Sequence, residues 1–257
     1  MGNPKSSAWD LIGSDYWAAS YNGGPVGEDL EAYLDGVDSG TSLAVVGAST
    51  VHLIRAAVDR GVGVTVLDFA EGQRTALLEA IQEWPAGSRC AVEHYDATAP
   101  APAGLKGRFD LVLADRLVNR FTDAEALAGV PGLLSLLAPG GRLRTTIRLG
   151  LYERDRALIA VADKAGRTAE FFDAEAMEID YAKAGDLLDQ SLSDHGSIPR
   201  ATLLDFYRLR GPEKRMNEAD VARYVAAASA QGISARIVAA GKLPVTSADT
   251  LFEIEVS

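Results

Sequence analysis

Residues 43–70 read LAVVGASTVHLIRAAVDRGVGVTVLDFA, and the order of events in that stretch decides the fold. An apolar run over Ser42–Val46 meets Gly47, a segment of helical period follows over Ser49–Arg60, Gly61 stops it, and a second apolar run, Val64–Leu67, ends at Asp68. Runs this apolar suit strands covered on both faces, which joins them in parallel through a crossover helix. The rhythm continues outward. Cys90–Glu93, Phe109–Ala114 and Gly141–Ile147 read as three further strands, and Glu71–Glu83 and Asp123–Leu137 as crossover helices, with Gly140 at a helix end. Near the C-terminus Asn217-Glu-Ala-Asp220 predicts a capping box opening a helix that runs to about Gln231 and stops at Gly232. Two last strands, Ser234–Ala239 and Thr250–Val256, lie close enough to pair antiparallel. The expected fold is α/β, a Rossmann-like doubly wound sheet, mostly parallel with an antiparallel C-terminal pair.

Two regions interrupt the alternation. Residues 1–40 gather Trp9, Tyr16, Trp17, Tyr21 and Tyr33 around a turn signal at Asn22-Gly-Gly-Pro25, and read as a helical lid over one edge of the sheet. Residues 149–212 combine helical pieces, a break at Gly196-Ser-Ile-Pro199 and a charged stretch Arg208–Arg215, and read as an insertion after the fifth strand, on the substrate side of the 41–257 α/β domain. No internal repeat is visible.

Composition narrows the function. With 257 residues, 47% of them hydrophobic, the chain can bury a large core, and its net charge of −11 repels phosphate backbones and anionic lipid. Neither nucleic acid nor membrane is an expected partner; a small molecule is, and a homodimer is compatible with the sequence. Cys90 is the single cysteine, so no disulfide forms within the chain and a reducing cytoplasm is the expected location. No signal peptide or membrane-spanning run is evident, and Gly2 followed by Ser6 is too weak a pattern for a lipid anchor.

In open α/β sheets ligands bind outside the carboxyl ends of the strands. Those ends carry the candidate binding residues: Gly47, Ala48 and Ser49 in the first turn, Asp68 and Phe69 after the second strand, Asp96 and Ala97 after the third, and Asp115 and Arg116 after the fourth. Gly47 lets the backbone turn sharply beside a ligand. Asp68, about twenty residues on, is spaced to accept from both hydroxyls of a ribose, and Asp96 from an exocyclic adenine amine; the alternative for either is a solvated strand-end carboxylate. Asp110 reads as a backbone cap. A dinucleotide would need Gly-x-Gly-x-x-Gly to seat its pyrophosphate, and Ser49 and His52 occupy the second and third glycine places. NAD and FAD are therefore disfavoured, and an adenosine ligand without phosphate, such as S-adenosyl-L-methionine, is favoured.

The motifs LAVVGAST, VTVLDFA, EHYDATAP and RFDLVLADRLVNRF followed by LLSLLAPGGRL resemble the class I S-adenosylmethionine-dependent methyltransferases over about Thr41–Ile147, and again in the C-terminal helix and strand pair. The resemblance implies that Gly47 lies beside the methionyl part of the cofactor, Asp68 on the ribose, Asp96 and Ala97 at the adenine and Asp115 near the sulfonium. The family's first motif usually has an acidic residue two places before its first glycine and two more glycines after it; Val45, Ser49 and Val51 stand there instead.

A sulfonium is a cation without hydrogen-bond donors, and aromatic faces attract it by ~0.5–2 kcal/mol. Tyr16, Trp17 and Tyr21 are the candidates for that contact, with packing in the core as the other reading. His195 is a candidate general base or an exposed loop histidine. His52 and His94 have no metal-like spacing, so no metal is expected. Arg116, Asn119 and Arg120 could clamp a carboxylate or simply begin a solvated helix. Three functions stay open: methyl transfer to a small-molecule oxygen, nitrogen or carbon nucleophile; cyclisation of the methionine moiety with release of methylthioadenosine; and a methyltransferase-like protein that only binds.

Overall fold

The computed structural model describes residues 5–18, 24–192 and 198–257. Five parallel strands form first, β1 (Leu43–Val46), β2 (Val64–Asp68), β3 (Cys90–His94), β4 (Phe109–Asp115) and β5 (Leu137–Arg148). The helices α4 (Val51–Asp59) and α5 (Glu71–Ala80) cross between β1, β2 and β3, and α6 (Asp123–Leu134) crosses between β4 and β5. With β9 (Ala235–Lys242) and β10 (Asp249–Val256) they make one seven-stranded sheet of order β3-β2-β1-β4-β5-β10-β9. β10 runs antiparallel to both β5 and β9, so the expected doubly wound sheet with its antiparallel end is what forms.

Side-chain alternation explains why the strands are apolar throughout. Leu43, Val45, Val64, Val66, Leu111 and Leu113 point to one face, onto α4, while Ala44, Val46, Leu67, Val112 and Ala114 point to the other, onto α6 and α10 (Glu218–Ala227). The helix α10 opens with the expected box: Asn217 Oδ1 accepts from Asp220 N (2.9 Å), and Asp220 Oδ2 from Asn217 N (3.0 Å). A 3-10 turn then runs to Gln231, and Gly232 takes the left-handed conformation. The sequence boundary that moves most is that of β5, which begins at Leu137 rather than Gly141. Leu137 pairs with Phe109, and the register shifts before Leu111 meets Arg142, where a side chain on Gly141 would strike the carbonyls of Ala138 and Phe109.

The insertion and the first helix of the N-terminal region form a cap with one shared core. The insertion contains α7 (Glu153–Lys164), β6 (Phe172–Asp173), β7 (Glu178–Asp180), α8 (Asp186–Ser191), α9 (Arg200–Leu209) and β8 (Pro212–Lys214), the three strands forming a small antiparallel sheet. Because β8 pairs with β7 and Gly150 N donates to Met216 O (2.8 Å), the insertion closes near Met216, beyond the expected Pro212. In the N-terminal region α1 (Ser6–Ile12), followed by the short α2 (Asp15–Ala18), packs on α9 of the insertion and on α5. Ala8 and Ile12 of α1 are buried in the cap's own core with Leu158, Leu203 and Phe206, whereas Tyr33 and Leu34 of α3 (Glu28–Leu34) belong to the core beside α4. No helix among the described residues is long and apolar enough to cross a membrane.

Candidate functional site

The first turn is built around a single carboxylate. Gly47 adopts φ 114°, a conformation that favours glycine, and a side chain there would project into space with no atom within 4 Å. The next residue, Ala48, donates its N–H to Asp68 Oδ2 (2.7 Å), while Ala70 N at the start of α5 donates to Oδ1 (2.7 Å). Asp68 is 7% exposed. Burial pushes its carboxyl up from 3.8 to about 6, and the two backbone donors hold it from rising further.

The wall beyond β3 depends on close approach. Asp96 Oδ1 closes a turn by accepting from Thr98 N (2.9 Å) and Thr98 Oγ1 (2.7 Å). The loop can lie against α6 because that helix carries Gly129 and Gly132: a side chain at the latter would meet Ala97 O at 2.9 Å and the Tyr95 hydroxyl at 3.1 Å. The buried Tyr95 hydroxyl has no hydrogen-bond partner among the described residues.

After β4 the chain turns through Arg116 at φ 50°, a strained value for a side-chain-bearing residue. Its N–H donates to Thr146 Oγ1 (3.0 Å), and that hydroxyl donates to Asp115 Oδ1 (2.5 Å), which the Tyr33 hydroxyl also approaches (3.2 Å). Burial and Asp115 push the Tyr33 phenol well above its ordinary value. The Arg116 guanidinium lies 3.1 Å from Asp249 and 3.7 Å from Asp115; burial opposes the cation, but the two carboxylates hold it charged. Asn119 is fully buried and spends its amide on the Arg148 backbone, donating to Arg148 O and accepting from Arg148 N (2.9 Å each). Asp110, read as a backbone cap, accepts from Ser42 N (2.9 Å).

The cap closes the crevice from above. Lys5 Nζ donates to Arg120 O (2.6 Å), Glu125 Oε2 (2.6 Å) and Pro212 O (3.2 Å), pinning the start of α1 between sheet domain and insertion. Gln73 of α5 donates to Trp9 O and Gly13 O and accepts from Trp17 Nε1. Trp9 stands edge-on to Tyr16 (5.2 Å between centroids) and to Phe206 (5.3 Å). Behind them the charged stretch Arg208–Arg215 turns three of its charges inward. Arg210, Glu213 and Arg215 are buried in an ion network: Arg210 Nε donates to Glu213 Oε1 (2.7 Å), Arg215 Nη1 to Glu213 Oε2 (3.1 Å) and Arg215 Nε to Asp155 Oδ2 (2.5 Å).

Two adjoining compartments result, of about 580 Å³ and 450 Å³ when the solvent they open onto is included. Gly47, Ser49, Asp68, Phe69, Asp96 and Ala97 line the larger; Tyr16, Asp115 and Arg116 line the smaller, which also touches Gly47 and Ser49. Ala48 is fully buried and acts through its N–H on Asp68. Tyr21 and His195 lie outside the described residues. Trp17 faces α5, and Trp9 takes the place expected of it, lining both compartments together with Leu117 and Arg120. The sequence reading also missed Lys5 and Tyr95. Trp9 was one apolar residue among several in a seven-residue helix, too short for period to reveal its direction.

Among the described residues no group of three or more His, Cys, Asp or Glu could hold a metal ion. Cys90 is buried, and burial raises its thiol to about 11.

A scan against protein-family models and a search of curated proteins return no match. Among solved structures, a Rhodobacter sphaeroides protein described as a Zn-dependent alcohol dehydrogenase is 36% identical, with a TM-score of 0.92 over 100% of this chain and 99% of its own. The methyltransferase CcbJ of Streptomyces caelestis has a TM-score of 0.60 at 13% identity, covering 98% of this chain and 99% of its own. The magnesium protoporphyrin IX methyltransferase ChlM of Synechocystis, solved with SAH bound, has 0.57 at 17% identity, with 98% coverage of both chains. The fold is that of the class I S-adenosylmethionine-dependent methyltransferases. The chain belongs to the same family as the Rhodobacter protein. The dehydrogenase description stays with that protein: in this chain Ser49 and His52 stand where a dinucleotide's pyrophosphate calls for glycine.

Proposed function

We propose that this chain is an S-adenosylmethionine-dependent methyltransferase acting on a small-molecule acceptor. The observation that carries the reading is the Gly47–Asp68 pair at the head of the crevice. Gly47 leaves open the space a side chain would fill, and each Asp68 oxygen accepts only one backbone N–H, so both keep lone pairs for the two hydroxyls of a ribose. Asp96, Ala97 and the Tyr95 hydroxyl would then meet the adenine, and Trp9 and Tyr16 offer aromatic faces to a sulfonium beside Asp115. That ChlM, of like fold, holds SAH agrees with this use of the crevice.

When bound, S-adenosylmethionine supplies an electrophilic methyl; its carbon–sulfur pair stays on sulfur as the acceptor bonds to carbon. This chain's part is to orient both ligands in line and to exclude water beneath the cap. In this reading α1 and α2, together with the 149–212 insertion, are the substrate-side cover. The smaller compartment supports an acceptor over self-cyclisation, since it adds space beyond the adenosine side.

Incubation with S-adenosylmethionine, with and without candidate acceptors, tests the reading by mass spectrometry. S-adenosylhomocysteine formed only with acceptor is the expected result. Methylthioadenosine formed without acceptor would establish the cyclase instead, and absence of binding would leave neither enzyme.

A further inference from the structure

Three side chains after β4 were candidates to clamp a carboxylate, and the structure uses up two of them. Arg116 is matched by Asp249 and Asp115, and Asn119 is spent on the Arg148 backbone. Arg120 is different. Neither its guanidinium nor that of Arg116 makes a hydrogen bond among the described residues, but Arg116 has a carboxylate at 3.1 Å and a second at 3.7 Å, whereas Arg120, 17% exposed and lining both compartments, has one ion pair there, to Glu213 Oε2 at 3.7 Å. Glu213 is already held by Arg210 and Arg215, and Arg215 also takes Asp155.

The charges do not balance. Arg120, Arg210 and Arg215 face two carboxylates, Asp155 and Glu213. Nearby, Lys5 is paired with Glu125, and Arg116 and Arg148 share Asp115 and Asp249. The other groups acting on Arg120 are the phenols of Tyr152, Tyr16 and Tyr207. One guanidinium is thus left over, on a side chain that lines both compartments. An unmatched buried charge is costly, and a carboxylate answers a guanidinium with two parallel hydrogen bonds.

We propose that Arg120 is the receptor for a carboxylate carried by a ligand at the junction of the two compartments. The assignment deepens the methyl-transfer reading and rests on it for the identity of the ligands. That carboxylate is carried either by the methionyl part of the cofactor or by the acceptor. Arg120 is a binding residue, and Glu213 is its positioning residue, since it fixes the guanidinium from behind.

The test uses ¹³C-acetate as the probe, followed by NMR line broadening with the wild type, R120K and R120M. Wild type should broaden the acetate signal and R120M should not. R120K, which keeps the charge of the cluster but loses the planar fork, should weaken acetate about 10-fold; it decides the matter if R120M fails to fold by circular dichroism. Adding S-adenosylhomocysteine then separates the sources: displaced acetate assigns the subsite to the methionyl carboxylate, and acetate retained beside it assigns the subsite to the acceptor. Equal broadening by wild type and both variants overturns the inference. If calorimetry detects no S-adenosylhomocysteine binding while the acetate response still depends on Arg120, the methyl-transfer reading falls and the carboxylate receptor stands.

Discussion

At the sheet wall of the crevice Asp68 is gripped by two backbone N–H groups, those of Ala48 and Ala70; at the cap wall Glu213 is gripped by guanidiniums of Arg210 and Arg215. Both carboxylates are buried, and their surroundings drive them in opposite directions. Burial raises Asp68 to about 6 because neutral donors offset only part of its desolvation. Burial also opposes ionisation of Glu213, but three arginines overwhelm it and hold the carboxyl far below its ordinary 4.5. A wall made of backbone geometry holds a carboxylate that is easily protonated and has lone pairs to spare. A wall made of opposed charges holds one that is committed to structure.

The largest expected effect comes from breaking the cap wall. Glu213→Gln leaves Arg210 and Arg215 facing a neutral amide, and should cost about 3–5 kcal/mol in urea unfolding. A loss below about 1 kcal/mol would mean that the network is solvated after all. At the sheet wall, Asp68→Asn cannot accept from both Ala48 and Ala70. Stability should fall by about 1–3 kcal/mol, and S-adenosylhomocysteine affinity by roughly 10- to 100-fold in calorimetry, since bonds to a charged acceptor are lost. Unchanged affinity would detach Asp68 from the ribose.

Acid sharpens the contrast. Between pH 3.8 and about 6 the folded chain holds a proton on Asp68 that the unfolded chain lacks, so this group's contribution makes stability rise as pH falls from 6. Glu213 contributes stability above 4.5 that is lost as pH falls below that value. Stability should therefore rise as pH falls from about 6 and reach its maximum near 4.5, with Asp68→Ala abolishing the rise and sparing the fall. Ligand affinity should weaken as pH drops through about 6.

Smaller effects concern the roof. Lys5→Met removes the ammonium that ties α1 to Arg120 O, Glu125 and Pro212, and should lower stability by about 1–2 kcal/mol. Trp9→Leu should weaken S-adenosylmethionine by about 0.5–2 kcal/mol while leaving S-adenosylhomocysteine, which has no sulfonium, nearly unchanged. Equal losses for both would reduce Trp9 to a packing role.

The same contrast governs what could be read from the sequence. The sheet wall is local: apolar run, glycine, helix, apolar run and acid follow one another in 28 residues, and each step has a short-range cause. The Asn217–Asp220 box was legible for the same reason. The cap wall is not local. Asp155 and Arg215 are 60 residues apart, and nothing local in Arg208–Arg215 marks Arg210, Glu213 and Arg215 as the charges that folding buries. Boundaries failed where two signals overlap, as at Leu137, which satisfies a helical period yet is recruited by Phe109 into β5. Trp9 and Trp17 could not be told apart because their helices are too short for period to assign a face.

The central claim is that the crevice at the carboxyl ends of β1 to β4 holds S-adenosylmethionine through Asp68. Isothermal titration of S-adenosylmethionine into wild type and Asp68→Ala tests it most directly. Saturable one-site binding by the wild type, lost in Asp68→Ala while the variant still unfolds cooperatively, is the predicted result; a wild type that gives no binding heat at any of several temperatures would contradict the account.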